Sequence, residues 1–71
     1  MKIAVIGIGN VGLANAYILA QKNSVSVYDV DEAKLASLEK SNEAGLKICH
    51  NLKDACENSD FTMIAISANF D

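Results

Sequence analysis

Four apolar residues, Ile3-Ala4-Val5-Ile6, run straight into Gly7-Ile8-Gly9-Asn10-Val11-Gly12, and few folds admit that junction. It is G-x-G-x-x-G at the point where a strand hands over to a helix. Gly7 permits a tight turn off the strand, Gly9 lets a pyrophosphate approach the backbone, and Gly12 lets the following helix pack closely on the sheet. The amides of Asn10 and Val11, at the helix start, face that pyrophosphate as unpaired donors at the positive end of a helix dipole. Taken alone the motif is generic. The acidic residue Asp29, ending the next strand, completes the pattern of a dinucleotide-binding turn.

The rest of the chain alternates strand and helix. A first strand over residues 2–6 is apolar at consecutive positions, as in a parallel strand covered on both faces. The first helix, residues 10–21, places Val11, Ala14 and Ile18 on one stripe with Tyr17 and Ala20 beside it, and Asn23 marks its end. A short second strand rich in valine and tyrosine spans 25–29. Asp31 is a good N-cap for a second helix, Glu32 adds charge in its first turn, Val30 can staple onto Leu35, and Lys40 suits its far end. Leu35 and Leu38, with Ala36, form its buried stripe. Gly45 offers a left-handed exit to a third strand over 46–49. Asn51 caps a third helix over 52–58 with Leu52, Ala55 and Cys56 as its apolar face, and a fourth strand spans 61–66.

The order β-α-β-α-β-α-β with short connections gives an α/β fold, a partial Rossmann-like parallel sheet with strand order 3-2-1-4. Ligands in such sheets bind at strand carboxyl ends beside the switch between the first and fourth strands. Residues 7–12, Asp29 and residues 67–69 all follow such ends, so they converge on one edge.

At 71 residues the chain makes at most one small domain, and 51% apolar content without proline marks it as globular. A net charge of −3 with no run of lysine or arginine argues against nucleic acid and anionic membranes as partners. The uncharged stretch 3–21 superficially resembles a signal peptide or short membrane span, but glycines and Asn10 interrupt it where a strand-turn-helix needs them. Cys49 and Cys56, spaced C-x₆-C with one histidine, His50, fit neither a redox C-x-x-C nor a zinc pattern. They read as reduced thiols of a cytoplasmic protein, and no metal site is expected.

Asp29 is placed to accept hydrogen bonds from both hydroxyls of an adenosine ribose, which favours NAD and repels the extra phosphate of NADP. Val30, Asp31 and Glu32 bring no arginine to reverse that preference. The competing reading gives Asp29 only a helix-capping role. Ser67 and Asn69 either touch the cofactor or belong to a solvated segment. Tyr17 and Tyr28 read as packing residues, and Lys34, Lys47 and Lys53 as solvated decoration. No catalytic residue is expected: His50 and the cysteines lie around the third strand, away from the switch.

Several stretches carry a family resemblance. K-I-A-V-I-G-x-G-x-V-G-L-x-x-A-x-x-L-A-Q over residues 2–21, Val27-Tyr28-Asp29-Val30-Asp31, Asp54-Ala55, Ser59-Asp60-Phe61 and Ile64-Ala65-Ile66-Ser67-Ala68-Asn69-Phe70-Asp71 together resemble the UDP-glucose/GDP-mannose dehydrogenases. That family oxidises a nucleotide sugar's 6-hydroxyl to a carboxylate in two NAD-dependent steps. The resemblance implies cofactor roles for Gly7, Gly9, Gly12, Asp29 and Ser67. It also implies that residues 1–71 are the N-terminal half of the dinucleotide-binding domain, without the catalytic and substrate domains, and hence inactive alone. Two departures stand out. Only residues 41–45 remain of a longer family segment, and Ser67-Ala68 replaces a threonine-proline pair. The opening is also similar to malate and lactate dehydrogenases, and a non-catalytic nucleotide-sensing module is a further alternative. With no fifth strand, residues 61–66 form an exposed apolar edge open to a second copy of the chain.

Overall fold

The sheet is built around its first strand. In the computed structural model, which describes residues 1–41 and 45–65, β1 (Lys2–Ile6) lies between β2 (Ser24–Tyr28) and β4 (Phe61–Ile64), with β3 (Lys47–Ile48) outside β2. All pairings are parallel, with Val5 opposite Val27 on one side and Met63 on the other, and Val27 opposite Ile48. The order β3-β2-β1-β4 is the one expected. Three helices complete the alternation: α1 (Asn10–Ala20), α2 (Glu32–Lys40) and α3 (Leu52–Cys56).

Period-two alternation in β2 explains which face holds the core. Val25 and Val27 are buried with Ile3 and Val5 of β1, and Ala16, Leu35, Leu38, Ile8 and Leu46 close over them. Ser24 and Ser26 fall on the other face, where the short α3 crosses β1 and β2. Ala4 and Ala55, both buried, belong to that thinner layer.

The first helix is rotated from its expected phase. Gly12 and Ala16 are its buried residues, and Leu13, Tyr17, Leu19 and Ala20 pack partly against the core. Val11 and Ile18, expected on the inner stripe, are 72% and 64% exposed, and Ala14 is exposed too. Apolar residues stand on every side of α1, so periodicity leaves its rotation undetermined. Close packing at Gly12 fixes it instead. The helix closes as expected near Asn23, whose Nδ2 donates to the Leu19 carbonyl at 2.9 Å.

Both other helices start at the expected caps. Asp31 accepts from the amides of Ala33 (3.0 Å) and Lys34 (3.4 Å), and Asn51 accepts from that of Asp54 at 2.8 Å. Leu35 and Leu38 are buried, but Ala36 faces solvent and Val30, 86% exposed, makes no staple. Gly45 adopts the left-handed conformation expected, φ 72°. β3 is shorter than residues 46–49, although the Cys49 amide extends its ladder by donating to Val27 O at 2.9 Å. α3 stops at Cys56 and not at 58. There Asn58 turns left-handed (φ 62°), and the amide and hydroxyl of Ser59 both donate to the Cys56 carbonyl. Leu52, expected on its inner face, is exposed.

β4 is an edge. Among the described residues it pairs only with β1, and Phe61 and Ile64 are 57% and 65% exposed. Asp60 anchors its start: the carboxylate accepts from the Lys2 amide at 2.9 Å, and the Asp60 amide donates to Lys2 O at 2.7 Å. Residue 66, expected to end this strand, lies outside the described residues.

Candidate functional site

Backbone hydrogen bonds draw the carboxyl ends of β1, β2 and β4 into one junction. The Gly7 amide donates to Tyr28 O at 2.7 Å, and the Ala65 amide donates to Ile6 O at 2.8 Å. Gly7 turns with φ 100°, and a side chain there would run into the Ala65 carbonyl. At Gly12 a Cβ would overlap the Gly7 carbonyl oxygen and come within 3.0 Å of the Ala65 Cβ. The first and third glycines therefore serve packing: the α1 start lies directly against the turn at Gly7 and against Ala65 after β4. Gly9 differs from both. A Cβ there would meet nothing within 4 Å, so its missing side chain leaves open space before α1.

The start of α1 is open as well. Its N-cap, Gly9, makes no side-chain cap, and its first turn holds no acidic residue. By contrast α2 and α3 are capped by Asp31 and Asn51 and carry Glu32 and Asp54 in their first turns. The first α1 hydrogen bond runs from Leu13 N to Gly9 O, 2.9 Å, so the amides of Asn10, Val11 and Gly12 lie in the unpaired first turn. An anion is the natural complement to such a terminus.

Asp29 ties this turn to α2. Its Oδ2 accepts from the Ile8 amide at 2.9 Å and its Oδ1 from the Asp31 amide at 2.8 Å. Each carboxylate oxygen keeps a lone pair for a further donor. Partial burial pushes its pKa up, but the two amides and the charge of Lys34 outweigh that and hold it below the usual carboxylate range. The side chain is thus an anion at neutral pH that organises the α2 start and retains acceptor capacity.

A cleft of about 380 Å³ runs past these groups, lined by Gly7, Gly9, Asp29, Val30, Lys34 and Ala65. A second of about 450 Å³ adjoins it through Gly9 and Lys34, reaching Asn10 and Ser37. Lys34, read from sequence as solvated decoration, is exposed and lines both clefts. Its place three residues beyond the Asp31 cap was the available signal, since the first turn of α2 faces the β2 end. A third hollow of about 400 Å³, bordered by Lys2, Ser24 and Lys47, lies at the strands' amino ends, away from the motif. Ser67, the remaining expected site residue, lies outside the described residues, as does Asn69.

Cys49 and His50, next to β3, and Cys56, at the end of α3, stand apart from the clefts at the junction. Burial pushes the Cys49 thiol up, with Lys47 opposing and Asp54 adding to the rise, which makes it a poor nucleophile at neutral pH. Among the described residues no group of three His, Cys, Asp or Glu side chains is placed to hold a metal, and no helix is long and apolar enough to cross a membrane.

Comparison with known proteins agrees with this geometry. The family model described as the NAD binding domain of 6-phosphogluconate dehydrogenase matches residues 2–71. The UDP-glucose 6-dehydrogenase of Campylobacter jejuni is 34% identical over an alignment of 88 residues, which takes in all of this chain and 22% of the relative. The chain thus spans about a fifth of the length of that relative.

Proposed function

This chain belongs to the family of NAD-binding domains described for 6-phosphogluconate dehydrogenase, and from that footing we propose that it forms the cofactor-binding start of a nucleotide-sugar dehydrogenase of the UDP-glucose 6-dehydrogenase kind. The cofactor is NAD. One observation carries the residue assignment: the uncapped α1 terminus behind Gly9, with the ionised Asp29 carboxylate beside it. The amides of Asn10 and Val11 hold the pyrophosphate, Gly9 admits it, Gly7 and Gly12 shape the turn, and Asp29 takes the ribose hydroxyls. Ser67 is assigned to the cofactor's other half on the family resemblance alone. When bound, NAD supplies the hydride acceptor. The likeness to the Campylobacter enzyme supports a nucleotide-sugar substrate over a malate- or lactate-type one. The free thiols of Cys49 and Cys56 suit a cytosolic setting.

Substrate oxidation needs an acid or base near the nicotinamide, and the titratable side chains at the junction among the described residues, Asp29 and Lys34, are assigned to cofactor binding and the α2 start. Residues 1–71 are therefore assigned cofactor binding without turnover, the catalytic and substrate-binding parts belonging to further sequence. Titration with NAD should shift the amides of residues 7–12 and Asp29. NADP should bind about tenfold more weakly or worse, since a phosphate opposite Asp29 pairs like charges; Lys34 keeps that exclusion from being absolute. A folded chain that answers neither nucleotide would refute the assignment. NADH production from UDP-glucose by the 71-residue chain would refute the absence of turnover.

The edge of β4 completes the proposal. Its four residues, Phe61-Thr62-Met63-Ile64, carry no charge to deter pairing. Where no further strand covers it, two copies should join edge to edge. Light scattering should show mass rising with concentration, and Ile64→Lys should hold the chain monomeric. A wild-type chain that stays monomeric at high concentration would rule the pairing out.

A further inference from the structure

His50, the single histidine, sits between β3 and the N-cap of α3 and reaches across to α2. Its Nδ1 lies 3.3 Å from Glu32 Oε2 and its Nε2 2.6 Å from Glu39 Oε1. Glu32 and Glu39 are seven residues, two helical turns, apart, so they flank the buried Leu35 on one face of α2. Both ring nitrogens thus meet a carboxylate. A neutral imidazole has one N–H, which serves one glutamate and turns a lone pair on the other. Only the imidazolium donates to both.

We propose that this arrangement is a proton-operated clasp: protonated, the ring ties both turns of α2 to the β3–α3 junction, and on losing its proton it releases one of them. The surrounding charges favour the closed form. The hydrogen bonds the ring donates to Glu32 and then Glu39 raise the histidine's pKa, desolvation opposes them, and the charges of both carboxylates add to the rise. Asp54 of α3 and Glu57 just after it border the same rim and add negative charge, while Lys47 of β3 opposes them. Because the folded pKa lies above the unfolded one, about 6.5, the stabilisation is complete below that pH and fades as pH rises through the folded value. Glu32 shares the first turn of α2 with Lys34, which lines the cofactor cleft, so its release loosens one wall of that cleft; this last step rests on the proposed cofactor site, and the clasp itself does not.

With one histidine, its ring resonances report the titration directly. In the 71-residue chain His50 should titrate above about 6.5, and Glu39→Gln should bring its midpoint down. Amide protection in α2, corrected for intrinsic exchange, should fall about two- to fivefold across that titration, the scale of exposed ion pairs. In His50→Gln, which lacks the titrating group, the α2 protection should not change with pH. Titration at or below the ordinary histidine value, or α2 protection that stays level in the wild type, would overturn the clasp. These readouts need no nucleotide, so they stand apart from any failure to bind NAD.

Discussion

Gly12→Ala should unfold the chain or lower its melting point steeply, whereas Gly9→Ala should leave it folded but weaken its hold on cofactor. The two residues share one motif, but the spaces beside them are opposite. A methyl group at position 12 overlaps the Gly7 carbonyl oxygen and crowds Ala65. Neither can withdraw freely, because Gly7 N–H is bonded to Tyr28 O and Ala65 N–H to Ile6 O. Overpacking of this kind costs about 1–3 kcal/mol, more where backbone must move. Alanine's better helix propensity returns only about 1 kcal/mol. In a domain of 71 residues, whose stability belongs at the low end of about 5–15 kcal/mol, the net loss is a large share of the total. Thermal unfolding followed by circular dichroism should show Gly12→Ala largely unfolded or melting far below wild type. At position 9 the backbone is extended, φ −65° and ψ −175°, which alanine adopts without strain, and the methyl enters empty space. Its melting should match wild type, while NAD affinity drops about tenfold or more, the equivalent of one hydrogen bond displaced by about 1.4 kcal/mol. If both variants melt alike, the division of labour among the glycines is wrong.

Asp29→Ala should damage fold and binding together. It leaves the amides of Ile8 and Asp31 without their acceptor, at about 1–3 kcal/mol if they stay shielded and less where water reaches them. It also removes the anion assigned to the ribose, so any residual binding should no longer distinguish NAD from NADP. Asp29→Asn keeps one carbonyl acceptor but points an NH₂ at one of two donors, and should fall between wild type and alanine. The pH dependence carries the same signature. Because the folded pKa of Asp29 is lowered, its contribution is present above the ordinary aspartate value and lost as pH falls through the folded one. Acid titration of stability should therefore show wild type losing its advantage over Asp29→Ala in that window. An advantage that persists unchanged to the lowest pH at which the chain stays folded would mean the carboxylate is not the group responsible.

Sequence carried the sheet and its switch almost completely. Consecutive apolar residues in β1, side-chain caps at Asp31 and Asn51, and the glycine turn are local signals, each decided by a few neighbouring residues. What it missed depended on groups distant along the chain. Nothing in α1 itself says that Val11 and Ile18 face outward; that follows from Gly12 meeting Gly7 and Ala65. Val30 follows an aspartate whose carboxylate holds the next amide, so its side chain stands in solvent and not over Leu35. Lys34 read as a solvated charge because its partner Asp29 becomes a neighbour only after the chain folds, and nothing local to His50 pairs it with Glu32 and Glu39, which meet it only once β2 and β3 align.

The placement of β1 has a kinetic consequence. Its two partners are β2 and β4, so the first strand is completed only by the fourth, and Ile6 waits for the Ala65 amide 59 positions later. No hairpin can form early in a sheet whose neighbours are all parallel, and such long-range closure is slow. On the ribosome the glycine turn stays unfinished until β4 has emerged. The moment at which the chain first holds a nucleotide would then time the arrival of β4.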